Sequence, residues 1–200
     1  MPEQKRKKTG VTIIIIAFVL GLIFGYVANE MINTRDQTYY ESGLKIIYNS
    51  GFEDGADSPE YWVKASIPVD NLTMTIDNEV VHSGNRSVSI NNTHIYDEIV
   101  SNNWYQTAGV VPKNQRIELS GWIKTLDAES VVMVIRCEDK NDELVGFATT
   151  QTKLEINGTN EWMKHTTSLI VPSDTEQIRV LLALTGTGQV WFDDVTLVVK

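Results

Sequence analysis

Between Leu44 and Lys200 no stretch of twelve residues keeps a helical period; short β-branched and aromatic runs are instead broken by Gly, Asn, Asp and Pro. The runs are Lys45–Tyr48, Leu72–Ile76, Ser87–Asn91, Trp104–Val110, Arg116–Thr125, Ser130–Cys137, Val145–Lys153, Lys164–Val171, Gln177–Leu184 and Val190–Val199. Many short strands joined by turn residues predict an all-β chain folded as an antiparallel sandwich. Alternation assigns their faces. Ile117, Leu119, Gly121 and Ile123 fall on one side of their run, with Glu118, Ser120, Trp122 and Lys124 on the other. Ile178, Val180, Leu182 and Leu184 point inward, leaving Arg179, Leu181 and Ala183 outward. In the last run a strict period of two puts Trp191, Asp193, Val195, Leu197 and Val199 on the apolar side. An aspartate on that side is costly unless a cation or several donors satisfy it.

The first thirty residues have a different texture. Val11 to Ala28 is eighteen residues without a charge, about 27 Å as a helix and close to the thickness of a hydrocarbon core. Lys5, Arg6, Lys7 and Lys8 precede it, whereas Glu30, Arg35 and Asp36 nearly cancel after it. The positive-inside bias makes residues 1–10 a cytoplasmic tail and 11–28 a single-pass transmembrane signal anchor. Residues 29–43 then read as a stalk, and 44–200 as a domain outside the cell membrane. A cleaved secretory signal is the alternative, but the apolar run exceeds the usual core and its exit lacks a small-x-small site. After Gly10 the chain carries 13 basic and 25 acidic side chains. That balance argues against a nucleic-acid partner, which is gripped by Lys and Arg through its phosphates. Cys137 is alone, so no intrachain disulfide forms and the fold rests on its core. Asn71, Asn85, Asn91 and Asn157 each open an N-x-S/T triplet, the acceptor pattern for glycosylation of an exterior domain. Asp139-Lys140-Asn141-Asp142 has a calcium-loop flavour but lacks the Gly and distal Glu, and reads as a hairpin turn.

Several motifs, in order, resemble the carbohydrate-binding modules of families 4, 9 and 22. Asn49-Ser-Gly-Phe-Glu-Asp-Gly55 with Pro59 and Trp62 is similar to their opening, and His82-Ser-Gly-Asn-Arg-Ser-Val88 to a short strand start. Leu119-Ser-Gly-Trp-Ile-Lys-Thr125, Glu161-Trp162 and Val171-Pro172 fit the middle, and Gly186 to Leu197 with Trp191-Phe-Asp-Asp194 fits the terminal strand. The resemblance covers about 150 residues and implies a galactose-binding-like jelly roll of two facing antiparallel sheets. It also implies a structural calcium held by Glu53 and Asp193, with backbone oxygen from about Gly84, a donor set suited to a hard cation. The alternative is that these carboxylates cap turns or pair with basic groups.

Sugar sites on this fold use aromatic faces with polar side chains fixing the hydroxyls. Trp122, on the register opposite the core, is the first candidate, and Trp104, Tyr105, Arg136 and Arg179 join it if their strands lie side by side. Trp62 and Trp162 take core positions of the resemblance. Catalytic patterns are thin: His82, His94 and His165 are the only histidines, and there is no H-E-x-x-H, G-x-S-x-G or phosphate loop. The first reading is therefore a non-enzymatic, membrane-anchored module recognising surface or wall glycans. The alternatives are an accessory subunit docking other subunits of a membrane complex, and a hydrolase with an unrecognised site. The expected behaviour of the full chain is resistance to carbonate extraction with its encoded N-terminus retained. Mass spectrometry finding a new N-terminus near Asn29 would replace the anchor by a cleaved signal.

Overall fold

The two alternating runs at 116–125 and 130–137 are a single strand. In the computed structural model, which describes residues 39–152 and 155–200, the chain forms nine strands. These are β1 (Val63–Ala65), β2 (Leu72–Asp77), β3 (Ser87–Asn92), β4 (Ser101–Thr107), β5 (Arg116–Glu138), β6 (Leu144–Thr149), β7 (Ile156–Ile170), β8 (Gln177–Thr185) and β9 (Gly188–Val199). The only helical segment among the described residues is a 3-10 turn at Thr150–Thr152, and none is long and apolar enough to cross a membrane. The anchor expected at 11–28 and most of the stalk lie outside the described residues. The last part of the stalk belongs to the domain: Gly43 N–H donates to Val199 O, and Tyr40 exchanges two hydrogen bonds with the Gln115 side chain. The run at 45–48 contributes only an isolated bridge, Lys45 to Val198.

Every strand pairing is antiparallel, and hydrogen bonds link all nine in the path β1-β4-β8-β5-β9-β3-β2, with β6 and β7 also on β5. The path folds over at β5. Residues 117–126 pair with β9, and residues 130–138 pair with β8 and β6. β2, β3, β9, the first half of β5 and most of β7 make one layer. β1, β4, β8, the second half of β5 and β6 make the other. The bend falls near Asp127, whose φ of 48° and register shifts against β7 mark an irregular step. Side chains across the fold touch: a Cβ added at Gly121 would lie 2.9 Å from Met133 Sδ and 3.1 Å from Val195 Cγ2. Glycine is therefore required there for close approach of the halves, not for its backbone freedom.

The inward rows of β5 and β8 are as alternation predicts, with Ile117, Leu119, Ile123, Ile178, Val180, Leu182 and Leu184 buried. Phe52 and Trp62 close one side of this core with their rings 5.2 Å apart. Two aromatics differ from expectation. Trp104 is a core residue, fully buried, with its indole N–H donating to Ser89 O in the opposite layer. Trp162 is half-buried and lies edge-on to His82, outside the core.

β9 corrects the period-two reading of its own sequence. Phe192 pairs with inward Ile123, and Asp193 pairs with outward Trp122, but Thr196 then pairs with Ser120. Asp194 and Val195 together oppose Gly121, a β-bulge with Asp194 at φ 49°. Val190 and Phe192 face the core before it, and Val195, Leu197 and Val199 after it. Trp191 and Asp193 stand on the outer side of their layer, buried by other parts of the chain. Cys137 is buried, and desolvation pushes its thiol up to about 11, so it behaves as an inert core residue. Replacing Trp104 by Ala is expected to lower unfolding free energy by about 3–5 kcal/mol. Gly121→Val, an overpacking change, is expected to lower it by about 1–3 kcal/mol. Urea unfolding checks both, and an unchanged midpoint for either variant would contradict the two-layer packing.

Candidate functional site

The sandwich presents two outer faces, and they are built differently. On the β9 side, residues 82–86 fold over the strand end and are held by carboxylates. Asp193 Oδ2 accepts from His82 N–H at 2.9 Å and Ser83 N–H at 3.0 Å, and its Oδ1 accepts from Asp194 N–H at 2.7 Å. Burial pushes the Asp193 carboxyl above its usual range; the three amides act against that and the neighbouring Asp194 charge adds to it. Glu53 Oε1 accepts from Asn85 N–H at 2.8 Å and Arg86 N–H at 3.2 Å. Gly84 has φ 64°, and a Cβ there would sit 2.1 Å from Glu53 Oε1, so only glycine permits this approach. Asp194 completes the clasp, bonding His82 Nδ1 at 2.7 Å and the Ser83 hydroxyl at 2.9 Å.

The fold thus brings Glu53 and Asp193 to the loop that carries Gly84, but the two carboxylates act there as acceptors of backbone amides. A calcium ion needs several oxygen donors turned toward it. Here the loop that would supply carbonyl oxygen presents N–H groups to both carboxylates. The residues do not fit a shared cation in this arrangement. His82, Asp193 and Asp194 also offer ligand atoms within 4.8 Å of one another, yet each is already engaged in the bonds above. His82 lies flat on Trp122, ring centroids 3.8 Å apart at 17°, so Trp122 is half covered. Trp122 and the β4–β8 residues occupy different layers, and the expected five-residue cluster does not form.

The second layer assembles three of the five. Its outer face carries cross-strand rows fixed by register. Thr107, Arg179, Arg136 and Phe147 form one row across β4, β8, β5 and β6. Val63, Tyr105, Leu181, Val134 and Thr149 form the next across five strands, about 20 Å wide at the usual strand spacing. Tyr105, Leu181 and Val134 are half-buried, and Phe147 is 56% exposed. Glu138 lies beyond Arg136, 1% exposed; Arg136 Nε donates to its Oε1 at 2.5 Å and Arg179 Nη1 sits 3.2 Å from its Oε2. Asn103 Oδ1 and Gln177 Oε1, also on the outward registers, are buried acceptors without a hydrogen-bond partner. Glu138, two residues beyond Arg136 on one strand, is a same-face neighbour by alternation alone, whereas Phe147 becomes one only once β5 and β6 are paired.

Of the sequon asparagines, Asn71, Asn85 and Asn157 are exposed, whereas Asn91 is half-buried within β3 between Thr73 and Gln189. The Asp139–Asp142 segment is the hairpin turn, with Asp139 Oδ1 accepting from Asn141 and Glu143 N–H, which hold its carboxyl below the usual range.

No protein-family model matches the chain. Against curated proteins it is 28% identical over 136 residues to the uncharacterized HTH-type transcriptional regulator YbfP of Bacillus subtilis (strain 168). That match takes in 67% of the chain and 46% of the relative, so the chain spans about half the length of the protein it matches. Among solved structures it is similar to the CBM22-1 xylan-binding domain of Paenibacillus barcinonensis Xyn10C, with TM-score 0.56 and 14% identity. That superposition covers 81% of this chain and 96% of the other. TmCBM61 in complex with β-1,4-galactotriose matches with TM-score 0.52 and 17% identity over 79% of this chain and all of that one. The enzymatically active domain of bacteriophage CBA120 tailspike protein 4 matches at TM-score 0.63 and 15% identity, over 78% of this chain but 21% of that one. The chain has the jelly-roll fold of carbohydrate-binding modules. Identities this low show fold alone.

Asp193→Ala leaves three amide donors without their acceptor and is expected to cost about 3 kcal/mol or more, whereas Asp193→Asn, which keeps an oxygen, costs less. Because amides fill the clasp, a calcium chelator is expected to leave the melting temperature of the wild type unchanged. A chelator-induced fall reversed by calcium would show a metal site in place of a polar clasp.

Proposed function

We propose that residues 44–200 are a glycan-binding module of the 4/9/22 type, displayed outside the cell on the anchor at 11–28, and that the ligand lies across the outer face of the β1-β4-β8-β5-β6 layer. The observation that carries this is the row Val63, Tyr105, Leu181, Val134 and Thr149, which runs across five strands beside Arg179, Arg136 and Phe147. An apolar strip with an aromatic ring at either side suits the C–H faces of sugar rings, and the flanking guanidinium, hydroxyl and amide groups suit their hydroxyls. Two structures of similar fold, by their names a xylan-binding domain and a module bound to β-1,4-galactotriose, support a sugar as the ligand class. The other outer face is occupied by the protein's own loop, and this favours the open layer over Trp122 as the site. The role is binding without catalysis.

A second reading is favoured by one feature. Ile95 and Ile99 are 83% and 92% exposed on the segment between β3 and β4, which suits a docking contact with another subunit of a membrane complex. A polysaccharide panel separates the two. Under the first reading Tyr105→Ala and Phe147→Ala each weaken glycan binding about tenfold or more, while stability of the exposed Phe147→Ala variant stays within about 0.5 kcal/mol. Binding of no glycan, together with co-purification of a subunit lost in Ile95→Ser or Ile99→Ser, would establish the docking role.

A further inference from the structure

Arg136 and Arg179 are direct cross-strand partners, an arrangement that is unfavourable for like charges unless an anion lies between them. One carboxylate, Glu138, serves both. It is almost fully buried, receives Arg136 Nε, and sits 3.2–3.3 Å from Arg179 Nη1. The remaining guanidinium N–H groups, both Nη of Arg136 and Nε and Nη2 of Arg179, have no protein acceptor among the described residues. Asp139 and Glu176, the acids next in sequence to Glu138 and Gln177, are committed elsewhere: Asp139 to its own turn amides and Glu176 to Lys113. The pair therefore keeps about one net positive charge, with the two side chains 42% and 36% exposed, within a described domain rich in acid. From Tyr39 onward the sequence has 23 acidic and 12 basic side chains. A cation left incompletely neutralised in so acidic a domain, and placed one register step from Leu181 and Val134, points at the ligand.

We propose that this row selects glycans that carry a carboxylate, that is, chains containing uronic acid units, with the sugar ring on the Tyr105–Leu181 strip and its carboxylate taken by the free edges of Arg136 and Arg179. This rests on the glycan-binding reading above and adds the substrate class. Guanidinium forks match carboxylates in a two-point, charge-assisted contact that a neutral hydroxyl does not reproduce. Glu138 then acts as the positioning residue, holding both arginines in one orientation while leaving their outer edges for the ligand.

The test uses the full chain in detergent and matched polymers: polygalacturonate and its methyl ester, glucuronoxylan and unsubstituted xylan. The acidic member of each pair is expected to bind at least about tenfold more tightly, with the preference lost in Arg179→Lys, which keeps a charge beside Glu138 but removes the fork. Arg136→Lys, whose melting curve is recorded alongside, is expected to behave in the same way. Equal binding of acidic and neutral partners would overturn the uronate inference and leave the glycan reading intact. Polyglutamate binding as tightly as polygalacturonate would also overturn it, because charge alone would then account for the preference. Failure to bind any of these polymers would overturn the uronate inference, and failure across the whole polysaccharide panel would overturn the glycan reading as well.

Discussion

Both layers of the sandwich hydrogen-bond to the same strand, and this shared edge is the constraint from which the remaining geometry follows. β5 gives its first half to β9 and β7 and its second half to β8 and β6. Folding it back on itself puts Gly121 against Met133, so the core is closed by one strand's two ends as much as by the facing sheets. A slip of one residue anywhere along β5 would turn Ile117, Leu119 and Ile123 outward together with Val131, Met133 and Ile135. The register that buries those six also sets Arg136 opposite Arg179 and Phe147. The candidate ligand row is thus fixed by the same hydrophobic pattern that fixes the core.

A second dependence links β9 to the segment before β3. The bulge at Asp194 turns two consecutive carboxylates toward residues 82–86, where Asp193 takes amide donors and Asp194 takes side chains. A carboxylate with three N–H donors is satisfied without a counter-charge, although desolvation still raises its pKa. His82 is carried by that loop onto Trp122, which would otherwise offer a bare indole to solvent. Trp191 is treated in a similar way, its N–H donating to Asp77 Oδ2 at 2.8 Å. Burial raises the Asp77 carboxyl, but amides of Val80 and Glu79 together with Trp191 hold it below the usual range.

The parts of the fold legible in the sequence are those where a strict period of two holds. β8 and the first half of β5 obey it, and the residues that alternation turns inward there are buried, although Ser120 and Ala183 on the outward registers are buried as well. β9 breaks it with one extra residue, and a bulge leaves no trace in hydrophobicity because Asp194 is as polar as Asp193. Trp104 departs from expectation for a different reason. Its same-face neighbours on β4 are Asn102 and Gln106, amides that suggest a wet face but are buried. Gln106 is satisfied by exchanging hydrogen bonds with the Tyr48 backbone, and Asn102 donates to Tyr96. Such partners lie tens of residues away, or across a loop, and no local pattern announces them.

The contrast between the outer faces gives the functional argument its direction. On the β9 side, aromatic surface is met by His82 and carboxylates are met by amides, so the protein itself has supplied the complementary groups. On the β8 side the complement is incomplete. Two guanidinium groups share one carboxylate, and Phe147 stands 56% exposed beside Arg136. Like charges directly opposite one another on neighbouring strands are unfavourable, and one carboxylate does not neutralise two guanidinium groups. The ligand proposed above would complete this face, offering an anion to the arginines and an apolar face to Tyr105 and Leu181. A pyranose ring bearing a carboxylate has both.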